Sequence, residues 1–169
     1  MISSPFDLSQ DFDNNPLDIA EEIARERAWT FTRTDDDLII INAPGLKTKY
    51  EICMEWQEEF SAVLFACCLP LEIGEAQYEV VARTMEKINQ NLWMGHFDLS
   101  NKGKFPTYRQ TLLFRMVPTE VAGDIIEDVI EIALAECNRF YTTLQFAQAG
   151  DVRLQDNLTA AVFETIGEA

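Results

Sequence analysis

The sequence predicts an α+β fold in which one antiparallel sheet of about six strands carries helices on one face. Three observations predict it. Strand-like segments follow one another through short polar turns, and such short connections imply antiparallel pairing. Residues 50–56 alternate strictly between apolar and polar side chains, as in a strand with one dry and one wet face. Amphipathic segments stand before, between and after the strands, so the predicted order is helix, four strands, helix, two strands, helix.

The first half of the chain is predicted to form one helix and four strands. Asn15 is a good N-cap, and Pro16 fits the first helical position because the N–H that proline lacks would have no partner there. The helix should end near Arg27. The strands are predicted at residues 29–33, 38–43, 50–56 and 60–69. The fourth strand is apolar on both of its faces, so its second face also needs a cover.

The second half is predicted to place a hairpin between two helices. A helix is expected at residues 75–92, and strands at residues 95–99 and 108–115 are joined by a polar turn. The last helix should begin after an N-cap at Thr119 and end at Gly150, because glycine readily adopts the left-handed conformation that closes a helix.

These elements are predicted to form a single domain over residues 14–150. Residues 1–13 are acidic and aperiodic, and we expect a flexible N-terminus there. Residues 151–169 form a polar tail whose short apolar stretch can make one small docked helix.

The charge of the chain limits its partners. The 169 residues carry a formal net charge of −16, and 47% of them are hydrophobic, which is ample for a core. A field of this sign repels phosphate backbones and anionic lipid, so we expect neither nucleic acid nor a membrane surface as a partner. The charge serves either solubility alone or attraction to a basic protein.

The sequence predicts a cytoplasmic location. The N-terminal residues have neither the basic start nor the apolar centre of a signal peptide. No stretch approaches the roughly 18 uncharged apolar residues of a membrane span.

No metal or cofactor is expected. The chain has four cysteines and one histidine, and no CxxC motif, so a structural zinc site is not predicted. We expect buried, reduced thiols at Cys53, Cys67, Cys68 and Cys137. Cys67 and Cys68 are adjacent in a strand, so their side chains should point to opposite faces.

No catalytic constellation is apparent. His96 should share one side of its strand with Asp98, and such a pair on a wet face is typical of a solvated surface. A hydrolase that uses these two residues is the weakest hypothesis, and we predict a protein without enzymatic activity.

Several short motifs resemble those of a known family. They are Trp29, Tyr50-Glu51-Ile52, Pro70, Asn89-Gln90-Asn91, Gly95-His96-Phe97-Asp98 and Tyr108-Arg109. Over residues 29–150 the chain resembles the YbjN family, described as bacterial sensory transduction regulators. The resemblance implies a fold similar to type III secretion chaperones, which are small acidic dimers of the cytosol that bind extended client segments. It implies a chaperone-like or regulatory module that binds a partner protein. It assigns no catalytic residue to this chain.

The face of the sheet away from the helices is the predicted interface. A turn at residues 58–59 that pairs Gln57 with Phe60 places Met54 opposite Val63 and defines which side chains point away from the helices. These are Cys53, Leu64, Ala66, Cys68 and, from the sixth strand, Leu113. Such a patch indicates an interface, and a two-fold homodimer is the commonest way to bury it. The alternative is that a terminal segment covers the patch within one chain.

A small-molecule or nucleotide sensor is the alternative function. Trp29, Trp56 and Trp93 can line a pocket between the second helix and the sheet, and aromatic clefts hold ligands well. The competing interpretation is that all three tryptophans belong to the core.

Overall fold

The computed structural model describes residues 15–99 and 104–150 and confirms the predicted α+β fold and element order. The helices are α1 (Pro16–Glu26), α2 (Tyr78–Asn89) and α3 (Thr119–Ala149). The strands are β1 (Thr30–Asp35), β2 (Leu38–Pro44), β3 (Lys49–Gln57), β4 (Ala62–Cys68), β5 (His96–Leu99) and β6 (Pro106–Leu113). The predicted flexible N-terminus and the predicted short helix of the tail lie outside the described residues.

The six strands form one antiparallel sheet in the order β1-β2-β3-β4-β6-β5. Because β6 inserts between β4 and β5, the sheet ends at β1 and β5. Helix α1 packs on β1, β2 and β3, helix α3 on β4 and β6, and helix α2 beside β5. Every second residue of β3 and β4 is buried under these helices, while the residues between them, apart from buried Ala62, are half-buried or exposed.

The predicted register between β3 and β4 is wrong by two residues. Gln57 pairs with Ala62 and Met54 with Phe65, because a one-turn 3₁₀ helix (Glu58–Phe60) and left-handed Ser61 connect the strands. A two-residue hairpin turn requires residues that tolerate positive φ, and two glutamates do not supply them. A shift of two residues leaves each side chain on its predicted face, so the face assignment is correct.

Helix ends depart from prediction in two places. A 3₁₀ turn (Glu75–Gln77) precedes α2, which is therefore shorter than the predicted helix. Thr119 is the first residue of α3 and not its N-cap, a position that Pro118 occupies without a side-chain hydrogen bond. Gly150 ends α3 in the left-handed conformation, and Asn15 caps α1 through the Leu17 N–H, as predicted.

The core lies between the sheet and the helices. Its largest fully buried side chains include Tyr50, Tyr108, Phe65, Phe114 and Phe140. Two cysteines meet there, since Cys67 on β4 and Cys137 on α3 place their sulfur atoms 3.6 Å apart.

The prediction of buried thiols is correct for Cys67 and Cys137. The same prediction is wrong for Cys53 and Cys68, because these two side chains are half-buried on the opposite face of the sheet.

Candidate functional site

The face of the sheet opposite the helices, which we call the open face, is the first candidate site. Among the described residues no helix covers it. Strands β3, β4 and β6 place the following side chains on it: Glu51, Cys53 and Glu55 on β3, Leu64, Ala66 and Cys68 on β4, and buried Thr107, Arg109 and Thr111 on β6.

The five residues predicted from the sequence all lie on the open face. Cys53 is directly opposite Ala66 in the β3–β4 ladder, and Leu113 is opposite Ala62 in the β4–β6 ladder. Leu64 is 42% exposed and Leu113 is 68% exposed, while the other three are half-buried. Together the five side chains form an apolar stripe that runs along β4, with Cys53 on one side of it and Leu113 on the other. Their role as an interface stays a prediction.

Charged residues flank this stripe with opposite signs. Glu51 and Glu55 lie on β3, and Arg109 lies on β6 opposite Ala66. The guanidinium Nε of Arg109 donates to Asp98 Oδ2 at 3.1 Å. Asp98 is therefore paired with an arginine, and His96 occupies the position across the ladder from Arg109.

Sequence reasoning missed this charge arrangement. The alternation of β6 indicates that Arg109 and Tyr108 point to opposite faces. Only the order of strands in the sheet brings Arg109 beside β4, because that order inserts β6 between β4 and β5.

The two thiols of the open face are held in their neutral form. Burial raises the pKa of the Cys53 thiol, and the carboxylates of Glu55 and Glu51 raise it further, against a smaller lowering by Arg109. Burial likewise raises the pKa of Cys68. A protonated thiol is a poor nucleophile and a poor metal ligand, so these cysteines serve as small apolar side chains.

Neither a metal site nor a membrane-spanning helix is present among the described residues. Within residues 15–99 and 104–150, no three acidic, histidine or cysteine side chains come together as a metal site would need. In the same part of the chain, none of the helices has the length and apolar character needed to cross a bilayer.

A cleft of about 640 Å³ between α2 and β5 is a second candidate site. Met85 and Phe97 contribute apolar surface to it, while Glu86 and Gln90 contribute polar surface. It lies where the alternative function places a pocket, between the second helix and the sheet.

The tryptophans do not line that pocket, and the competing interpretation that all three belong to the core is wrong for Trp93. Trp56 is buried in the core against Phe114, with ring centroids 6.3 Å apart. Trp29 lies under the Arg27 guanidinium at 5.1 Å, and Trp93 is 76% exposed. None of the three tryptophans is among the residues that line the cleft.

Comparison with known proteins agrees with this fold. The crystal structure of YbjN, called "a putative transcription regulator from E. coli", superposes with a TM-score of 0.52. It is 12% identical in sequence, and the match covers 75% of this chain and 91% of that chain, a likeness that shows the fold alone. No curated protein matches the chain. The YbjN family model, described as "Putative bacterial sensory transduction regulator", matches residues 16–146. Because that match spans most of its length, this chain belongs to the YbjN family.

Proposed function

We propose that this chain is a non-enzymatic interaction module of the bacterial cytosol, chaperone-like or regulatory, that forms a two-fold homodimer through its open face and binds a partner protein. The observation that carries the proposal is the apolar stripe along β4, which no described helix covers. Contiguous exposed apolar surface on a soluble protein marks an interaction site.

The size of the open face supports a second copy as its occupant. Six strands about 4.8 Å apart and about 20 Å long give a face of about 600 Å². Specific interfaces bury about 800 Å² on each partner. A stable dimer therefore needs the whole face, including its charged residues, and some surface at its margins.

The net charge of −16 on each chain opposes the approach of two copies. This repulsion acts at long range through solvent, and added salt screens it. Short contacts buried inside the interface are screened much less. The dimer should therefore tighten as salt is raised.

The mass in solution tests the homodimer. Light scattering at low micromolar protein should give the mass of two chains, with a larger dimer fraction at high salt. A monomer mass at both low and high salt would contradict it.

The same charge supports a basic partner protein, since an anionic surface attracts a cationic one and speeds the encounter. Capture from a native lysate should recover one protein at several salt concentrations. Recovery of only abundant, non-specific proteins would count against this part of the proposal.

The cleft between α2 and β5 supports the small-molecule sensor as a second candidate. Its volume of about 640 Å³ falls among ligand pockets, which span about 300–1,000 Å³. A metabolite that binds there should raise the melting temperature of the wild-type protein, and Ala82→Trp should fill the cleft and abolish the shift. A shift that Ala82→Trp leaves unchanged would reject the cleft as the ligand site.

A further inference from the structure

The open face carries a lateral order of charge that is complementary to itself. In the rows of Glu51, Cys53 and Glu55 the order from β3 across β4 to β6 is carboxylates, apolar stripe, guanidinium. Lys49 lies outside these rows at the start of β3, and Asp98 lies beyond Arg109 on β5. We infer that two copies stack with β4 on β4 and with the two-fold axis parallel to the strands, so that Arg109 of each copy lies between Glu51 and Glu55 of the partner subunit. This inference rests on the homodimer proposed above.

The register gives the position of each charge. Cys53, Ala66 and Arg109 lie in one row across the sheet, because Cys53 pairs with Ala66 and Ala66 pairs with Arg109. Glu51 and Glu55 lie two residues to either side of Cys53 on the same face. Adjacent strands are about 4.8 Å apart, so the carboxylates and the guanidinium lie at similar distances on either side of β4.

A two-fold axis between two stacked sheets must lie in the plane of the interface. When it runs along β4, the rows keep their order and β6 of one copy lies over β3 of the other. Arg109 then faces Cys53 of the partner subunit. A carboxylate lies on each side of that position, within reach of the long arginine side chain across sheets about 10 Å apart.

The other simple axis, perpendicular to the strands, gives an unfavourable arrangement. When that axis passes through the row of Cys53 and Arg109, it places β3 over β3 and β6 over β6, so that Glu51 faces Glu55 of the partner subunit and Arg109 faces its own copy. Like charges opposed across an interface select against that arrangement. The charge pattern therefore distinguishes two stackings that the apolar stripe alone leaves equivalent.

The side chains of β4 allow the stacking in which the two-fold axis runs along that strand. Ala66 and Cys68 are small, so two copies of β4 can approach closely at the axis. The side chain of Arg109 is 38% exposed and commits its Nε to Asp98. Neither terminal nitrogen of Arg109 has a hydrogen-bond partner within the described residues, so both can donate to a carboxylate, and arginine pairs well with carboxylates at interfaces.

Charge reversal on the two sides of the stripe tests the stacking. Sedimentation equilibrium should show that Arg109→Glu raises the dimer dissociation constant by about tenfold or more, and that Glu51→Arg/Glu55→Arg does so as well. The second result is the more telling, because those substitutions reduce the net negative charge. An equimolar mixture of the two variants should return to near wild-type affinity, since each mixed dimer contains one native and one charge-reversed cluster, both attractive.

Matched controls separate a local effect from one of net charge. Arg83→Glu on exposed α2 and Glu22→Arg/Glu26→Arg on exposed α1 make the same charge changes away from the open face. They should leave the dimer within about threefold of wild type. Melting temperatures verify that each variant is folded, and the two opposite reversals give independent tests.

The outcomes distinguish this inference from the proposed function. A wild-type dimer that neither reversal weakens overturns the stacking and leaves the homodimer in place. A wild-type protein that is monomeric at every concentration and salt overturns both.

Discussion

The side-chain amide of Asn89, the last residue of α2, forms two hydrogen bonds with the backbone of Phe97 on β5. Its oxygen accepts from the Phe97 N–H at 2.7 Å, and its nitrogen donates to the Phe97 carbonyl at 2.9 Å. The amide thus acts as one residue of a further strand and occupies the free edge of β5. Blocking an edge in this way protects a sheet from pairing with other chains.

Replacing Asn89 should therefore weaken the edge. Asn89→Ala leaves the N–H and the carbonyl of Phe97 without partners, and we expect a loss of about 1–3 kcal/mol in unfolding free energy. Urea denaturation measures the loss, and hydrogen exchange should show faster exchange of the Phe97 amide. Asn91→Ala is the control, because Asn91 makes one exposed bond to the Lys87 carbonyl and its loss should cost far less. Equal costs for the two variants would contradict this role of Asn89.

Two glycines should respond to alanine with opposite signs. Gly95 has φ of 66°, and a Cβ there would lie 2.4 Å from the Tyr108 ring, so Gly95→Ala should destabilise by at least about 1 kcal/mol. Gly123 lies within α3, where a Cβ meets only Ile19 at 3.7 Å. Gly123→Ala should stabilise by about 0.5–1 kcal/mol because alanine favours the helix. Thermal unfolding of both variants checks this, and destabilisation by Gly123→Ala would be evidence against the packing of α1 on α3.

Stability should fall at alkaline pH through Tyr108. Its hydroxyl donates to the Met94 carbonyl at 3.0 Å, and burial raises its pKa from 10.0 to about 12. The folded state thus holds the proton more tightly than the unfolded state does. This contribution is complete below pH 10 and is lost as the pH rises from about 10 to about 12. Tyr108→Phe should make the fall in unfolding free energy across that window shallower. An unchanged slope would contradict the assignment.

The alternation of apolar and polar residues along the strands predicted most of the fold. The error in strand register arose at a turn, where the conformation of the connection was not predicted. The period of two assigned Leu64 and Cys68 to the open face, and it survived a register error because that error was two residues long. The register depended on how Ser61 closes its turn, which strand composition does not encode. The position of Arg109 beside the apolar stripe depended on the long-range insertion of β6 next to β4. The burial of the tryptophans could not be predicted either, because the residues next to Trp93 in the sequence do not indicate that it is exposed.

The thiols on the open face should react faster than the thiols in the core. Cys67 and Cys137 are fully buried, and burial together with their mutual hydrogen bond raises the pKa of Cys137. Cys53 and Cys68 are half-buried on the open face. N-ethylmaleimide should modify this second pair first, and more slowly as protein concentration rises and the dimer forms. Urea-unfolded protein, in which all four react, is the control. Early modification of Cys137 in the native protein would contradict the structure, and a rate independent of concentration would count against the open face as the interface.

The apolar stripe as a dimer interface is tested most directly by one comparison of masses. Leu64→Glu places a carboxylate at the centre of the open face, whereas Leu46→Glu adds the same charge at a turn residue that is 85% exposed. Sedimentation equilibrium at low micromolar protein should give a dimer for the wild type and for Leu46→Glu, and a monomer for Leu64→Glu. A wild-type monomer, or a Leu64→Glu dimer as tight as that of Leu46→Glu, would contradict the open face as the site of self-association.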